Sequence, residues 1–177
     1  MHEGIIPNTV LRCLGHDGES PEIETVPDTV WRTLVADRGP DGKPPPAWYH
    51  RACMTCLVAD TNAGNIDTNA ILQQGDTTKL QSAYLKRVQA VCWNRAFIGC
   101  SNDDRKLVGV GPVNSEQDDM VCILYGCSVP CILRQSGNDP YCLFIGEAFI
   151  LGQMDGEAIM DLSREEFDHK STQFTIM

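Results

Sequence analysis

The sequence predicts an α+β fold, with about three N-terminal helices packed on a small C-terminal antiparallel β-barrel or bent sheet. Two observations carry the prediction. From Arg95 to about Ala158 short apolar runs (RAFIGC, KLVGVG, MVCILYG, VPCILRQ, YCLFIGEAFILG) alternate with Gly, Asn, Asp and Pro turns, the spacing of a mostly antiparallel sheet. Upstream of Arg95 the apolar period changes to three and four residues, which is helical. With 42% hydrophobic and 21% charged residues, the composition is that of a globular chain.

In chain order, residues 1–26 read as an irregular segment, a short apolar stretch (IIPNTVLRCLG) followed by a polar loop. The apolar stretch has no evident partner there, so an exposed apolar patch is expected around IIPNTVL and the first helix. Residues 27–94 form a helical region. Trp31, Leu34 and Val35 share a face of a first helix that opens at Pro27 and Asp28 and stops at Gly39-Pro40. A second helix runs from about Ala47 to Ala59, presenting Trp48, Ala52, Cys53, Cys56 and Leu57. A polar linker at 60–78 is expected to make at most one apolar contact, at Ile71 and Leu72. Leu80, Tyr84, Val88 and Val91 then define a third helix capped by Thr77 or Thr78. Residues 95–177 form the β-barrel-like module, which carries the MDGEA segment and ends in a possible last strand at FTIM.

The charge balance narrows the function classes. With 14 basic against 24 acidic residues, the formal charge of −10 disfavours nucleic acid or an anionic membrane face as partner. No run reaches the roughly 18 apolar residues of a spanning helix, and the first residues lack the basic and apolar regions of a signal peptide. A cytoplasmic location is expected. The nine cysteines are an odd number, several sit in apolar strand patterns, and reduced thiols are expected.

The family resemblance rests on four pieces in order: LVGVGP, DDMVCILYG, VPCILR and FIGEAFILGQMDGEA. They resemble the C-terminal region of fungal heterokaryon-incompatibility (HET) domain proteins, whose run is approximately GxGP, GDxVxxLxG, PxxLR and GExYxxGxMDGEA. VWRTLVADR at 30–38 is similar to the WRTLxAD stretch that often precedes this module. The resemblance assigns the turn positions Gly109, Gly111, Pro112, Asp119, Gly126, Pro130, Gly146 and Gly156. Asp118 stands where the family has glycine, so a different turn is expected in place of a positive-φ one, and Phe149 replaces the aromatic after GE. No residues are assignable to the HET domain itself. The chain therefore looks like the C-terminal portion of a HET protein, and the implied role is that of a non-catalytic accessory or regulatory module in nonself recognition and programmed cell death. Its implied partner is another protein or the N-terminal HET domain.

Several groups could carry chemistry. Arg134, Glu147, Asp155 and Glu157 are the best polar cluster, since paired carboxylates with an arginine clamp can do acid and base work, which would make a small ligand-binding or hydrolytic barrel. The structural alternative makes Glu147 and Arg134 a cross-strand ion pair and Asp155 the cap of a short helix at GEAIM. Cys53 and Cys56 have CxxC spacing but lie mid-helix with no second pair, so packing is expected ahead of metal or redox work. Cys127 and Cys131 span a turn that could bring their thiols together, but Cys131 is expected to face the barrel interior instead. The four histidines are scattered and accompany no nucleophile, and no phosphate loop is present. Trp31, Trp48 and Trp93 are expected to anchor the core. No catalytic constellation, metal or cofactor is assigned.

Overall fold

The computed structural model describes residues 1, 4–16, 26–59, 64–102, 105–137 and 140–177. Most of the polar loop expected before Pro27, the start of the linker at 60–63 and the middle of the 136–140 hairpin turn lie outside these residues.

Strand β1 (Ile5–Ile6) and helix α1 (Asn8–Cys13) open the chain. Next come α2 (Asp28–Leu34), α3 (Trp48–Ala59), β2 (Ile66–Asp67), α4 (Thr68–Gln73) and α5 (Lys79–Cys92). The β region comprises β3 (Arg95–Asn102), β4 (Arg105–Pro112), β5 (Met120–Cys122), β6 (Cys131–Gln135), β7 (Tyr141–Glu147) and β8 (Phe149–Ile150). Helix α6 (Arg164–Lys170) and β9 (Thr175–Ile176) complete it. The fold is α+β, as expected.

The N-terminal segment departs from expectation. β1 pairs antiparallel with β2, Ile5 opposite Asp67 and Ile6 opposite Ile66. The Thr68 hydroxyl donates to the Gly4 carbonyl at 2.7 Å. Ile6, Leu11 and Leu14 are buried in the largest core cluster, so the apolar patch anticipated around IIPNTVL is mostly covered, with Ile5 left exposed. The linker that supplies β2 is also more ordered than expected. The Asp67 carboxylate accepts from the amides of Asn69 and Ala70, caps α4, and allows Ile71 to be buried.

Helix α5 forms where its period predicts. Thr78 and Gln81 exchange side-chain and backbone hydrogen bonds in a capping box, and Tyr84, Leu85, Val88 and Cys92 line its buried side. Tyr84 meets Tyr49 of α3 edge-on, with ring centroids 5.4 Å apart. α2 is shorter than predicted. It stops because Ala36 and Asp37 both turn left-handed (φ 53° and 48°) before the glycine that was expected to end it. Trp31 is buried, whereas Trp93 stands 46% exposed at the helix–strand junction, outside the core clusters of the described residues.

Two sheets follow. One has the order β3-β4-β8 and is antiparallel; the other has the order β5-β6-β7-β9, with β9 parallel to β7. Ile132 packs with Ala148 and Ile150 and with Ile98 and Leu107 of the first sheet, so this side of β6 faces the other sheet. Cys131, Leu133 and Cys142 occupy the opposite side beneath Leu124 and Phe174. Neither sheet closes on itself among the described residues, so the bent, packed form of the expectation is the one observed.

Two glycines of the motif run are required by contact. A Cβ on Gly109 would lie 2.0 Å from the Phe149 carbonyl oxygen, which is how closely β8 crosses β4. Gly146, at φ 150°, sits beside a register shift between Ile132 and Leu133, and a Cβ there would lie 2.8 Å from the Pro112 ring. The largest core cluster joins α2, α3 and α5 to Val108 and Val110 of β4 and Phe149 of β8.

Candidate functional site

The four polar residues singled out by sequence do not form one site. Arg134, on β6, is held by residues of the loop that leads into β5. Its Nε and Nη2 donate to the two carboxylate oxygens of Asp119 at 2.7 and 2.9 Å. Nη1 donates to Glu116 at 2.8 Å, and Nη2 also reaches the Asn114 carbonyl at 2.7 Å. The amide of Glu116 donates to the same Asp119 carboxylate at 2.8 Å. The Asp119 side chain is only 5% exposed, and the Arg134 hydrogen bonds hold its carboxyl below the ordinary carboxylate range. A guanidinium whose fork is filled by protein carboxylates is a brace.

The expected Arg134–Glu147 ion pair is therefore absent, and the β6–β7 register explains it. Arg134 lies opposite Leu143, while Glu147 lies opposite Cys131 at the far end of the ladder. The Glu147 main-chain carbonyl accepts from Arg95 at 2.8 Å, and its side chain is exposed.

Asp155 and Glu157 belong to a tight turn instead of a helix cap. Asp155 and Gly156 are both left-handed (φ 51° and 88°), and the Glu157 amide donates to the Met154 carbonyl at 2.8 Å, the pattern of a type I′ turn. The Glu157 carboxylate accepts from the Met154 amide at 3.0 Å. The Asp155 carboxylate pairs with Arg38, and its amide donates to Ser128 at 3.0 Å. Arg38 closes the WRTLVADR stretch. That stretch is braced in turn: Arg32 bridges Asp28 (3.1 Å) and Asp37 (2.6 Å), and Arg87 of α5 donates to the carbonyls of Arg38 and Val35. Arg38–Asp155 thus joins two stretches lying 117 positions apart.

Two concavities are described. One of about 200 Å³ is lined by Arg95, Glu147, Phe149 and alanine and valine side chains. The other, of about 820 Å³, lies between the β5 region and the 158–176 segment, with Leu107, Val121, Leu124, Ile159, Leu162 and Phe174 in its walls. Its size is that of a ligand pocket. Arg134, Asp155 and Glu157 line neither, so the cluster needed for a hydrolytic barrel is not assembled. Cys53 and Cys56 sit in the helical core, where burial pushes both thiols up to about 12. Among the described residues no three His, Cys, Asp or Glu side chains are grouped to hold a metal ion.

The profile of the Het-6 beta-barrel domain matches residues 54–168, more than half of the chain. The chain belongs to the Het-6 beta-barrel domain family. It is thereby linked to the HET-type heterokaryon-incompatibility proteins of fungi. No curated protein and no solved structure matches it.

Within this Het-6 barrel chain the quoted motif pieces have physical roles. The aspartate of GD and the arginine of PxxLR are the Asp119–Arg134 brace. Asp118 keeps the left-handed turn after all, at φ 71°, so the turn expected to differ is retained with aspartate in the strained position. Sequence reasoning missed Glu116 and Arg38. The signal for Glu116 was its place three residues before Asp119; Arg38 had none beyond ending the WRTLVADR stretch.

Proposed function

We propose that the chain is a non-catalytic accessory module of a HET-type protein, working in the cytoplasm beside an N-terminal HET domain and regulating it by protein contact during nonself recognition and cell death. The observation that carries this reading is the placement of the polar motif residues. Arg134 is committed to Asp119 and Glu116, Asp155 to Arg38, and Glu157 to its own turn, while the large concavity is walled mostly by apolar side chains. A surface that offers apolar area and holds its charges in braces suits contact with another protein better than acid–base chemistry. Exposed Tyr125 lines that concavity, and exposed Met160 follows its wall residue Ile159 in the chain.

The test is expression of the 1–177 chain in a filamentous fungus, alone and together with a HET domain, scoring death of hyphal cells. The expected result is no death from the chain alone and an altered frequency of death in the co-expressing strain. Death caused by the chain alone, and lost in folded Glu147→Gln, Asp155→Asn and Glu157→Gln variants, would overturn the reading in favour of a catalytic barrel.

A further inference from the structure

Eight cysteines are described, all free: exposed Cys13 closes α1, and the other seven divide into two groups. Cys53, Cys56 and Cys92 are sealed in the helical core. Cys122, Cys127, Cys131 and Cys142 belong to the second sheet and its β5–β6 connection, with Cys131 and Cys142 buried and Cys127 exposed. β5 and β6 pair so that Cys122 stands directly opposite Cys131. Opposed residues of antiparallel strands have Cα atoms about 4.5 or 5.5 Å apart, and both values fall inside the roughly 4.4–6.8 Å range of disulfides. Their side chains point to the same side of the sheet, and the Cys131 thiol donates to the Cys122 carbonyl at 3.5 Å, so it already leans toward its neighbour. Cys122 and Cys127 both line the 820 Å³ concavity, which gives solutes a route to them. Cys127 is exposed in the connection between the two strands.

We propose that Cys122, Cys127 and Cys131 form an oxidation-responsive trio whose end product is a disulfide between Cys122 and Cys131. Burial raises the Cys122 thiol and lifts that of Cys131 to about 11, so neither is a ready nucleophile at neutral pH and the first attack falls to exposed Cys127. With hydrogen peroxide as oxidant, the O–O bond breaks, Cys127 becomes a sulfenic acid, and one water leaves. The Cys131 sulfur then attacks Cys127, forming an S–S bond and releasing a second water. Cys122 next attacks the Cys131 sulfur, the Cys127–Cys131 bond breaks, and the Cys122 proton passes to the departing Cys127 thiolate. The sum is two thiols and one peroxide giving one disulfide and two waters. The product ties edge strand β5 to β6 and fixes one wall of the concavity.

The test uses the intact chain. After peroxide treatment, free thiols are blocked with N-ethylmaleimide, the protein is reduced with dithiothreitol, and the released thiols are labelled with iodoacetamide. The tryptic peptide between Lys106 and Arg134 carries all three cysteines, and its fragmentation assigns each label. The expected result is acetamide on Cys122 and Cys131 and maleimide on Cys127. Cys127→Ser should slow the reaction several-fold and leave the same product. Maleimide on all three after peroxide, or a reducible bond confined to Cys127 and Cys131, would overturn the proposal; because the wild-type chain gives this result directly, a variant that fails to fold does not remove the test.

Discussion

Asp118 and Asp119 are adjacent and have opposite energetic roles. Asp118 is exposed at φ 71°, a conformation that strains an L side chain and that glycine adopts freely. Asp118→Gly should therefore stabilise the protein by up to about 1 kcal/mol, less whatever the freer unfolded chain takes back, and Asp118→Val should destabilise it by about 1–2 kcal/mol. Urea midpoints at pH 7 measure both. Asp119 is buried, and Arg134 lowers its folded-state pKa. Such a group stabilises the fold above its unfolded-state value, about 3.9, and that contribution is lost as the pH falls through the lower folded-state value. The motif run singled out both Asp119 and Arg134. Their pairing was not legible, because the β6–β7 register shift that sends Glu147 away from Arg134 leaves no mark in the local pattern.

At the level of elements, what the sequence disclosed was existence; what it concealed was partnership. The strands from Arg95 onward show in their apolar runs and turn residues, and α5 shows in its period and cap. Helix α4 falls in the stretch expected to be a polar linker and α6 in a stretch given no element, although both are announced by caps, Asp67 and the Ser163–Glu166 box. Their few buried positions gave no apolar stripe to support the caps, and α6 buries none at all. That β8 lies on β4, and that β9 runs parallel to β7, depends on contacts between distant residues. The β4–β8 crossing rests on the bare backbone of Gly109, where even one methyl group would overlap the Phe149 carbonyl. Gly109→Ala should cost about 3 kcal/mol in thermal or urea unfolding, by forcing β8 away from β4. An unchanged midpoint would mean that the two strands are not in this contact.

For the whole molecule, the helices and the first sheet share one core, and the motif residues brace its outlying parts. Val108, Val110 and Phe149 join the buried side chains of α2, α3 and α5, while Arg38–Asp155 ties the end of the helical stretch to the turn after β8. That the helices pack on the β module was expected from the sequence; which strands they meet, β4 and β8, was not legible there. The central claim is that the motif's charged residues hold the structure together, and the Asp119–Arg134 pair tests it most directly. Thermal unfolding should be measured for the wild type, Asp119→Asn, Arg134→Met and the double variant, at pH 7 and pH 3. The account predicts that each single variant lowers the pH 7 midpoint by several degrees, that the double variant loses less than the two singles combined, and that the differences shrink as the pH falls below the unfolded-state value of Asp119 toward its lowered folded-state value. Single variants that unfold at the wild-type temperature at pH 7 would contradict it, and would return Arg134 and Asp119 to the list of groups free for chemistry.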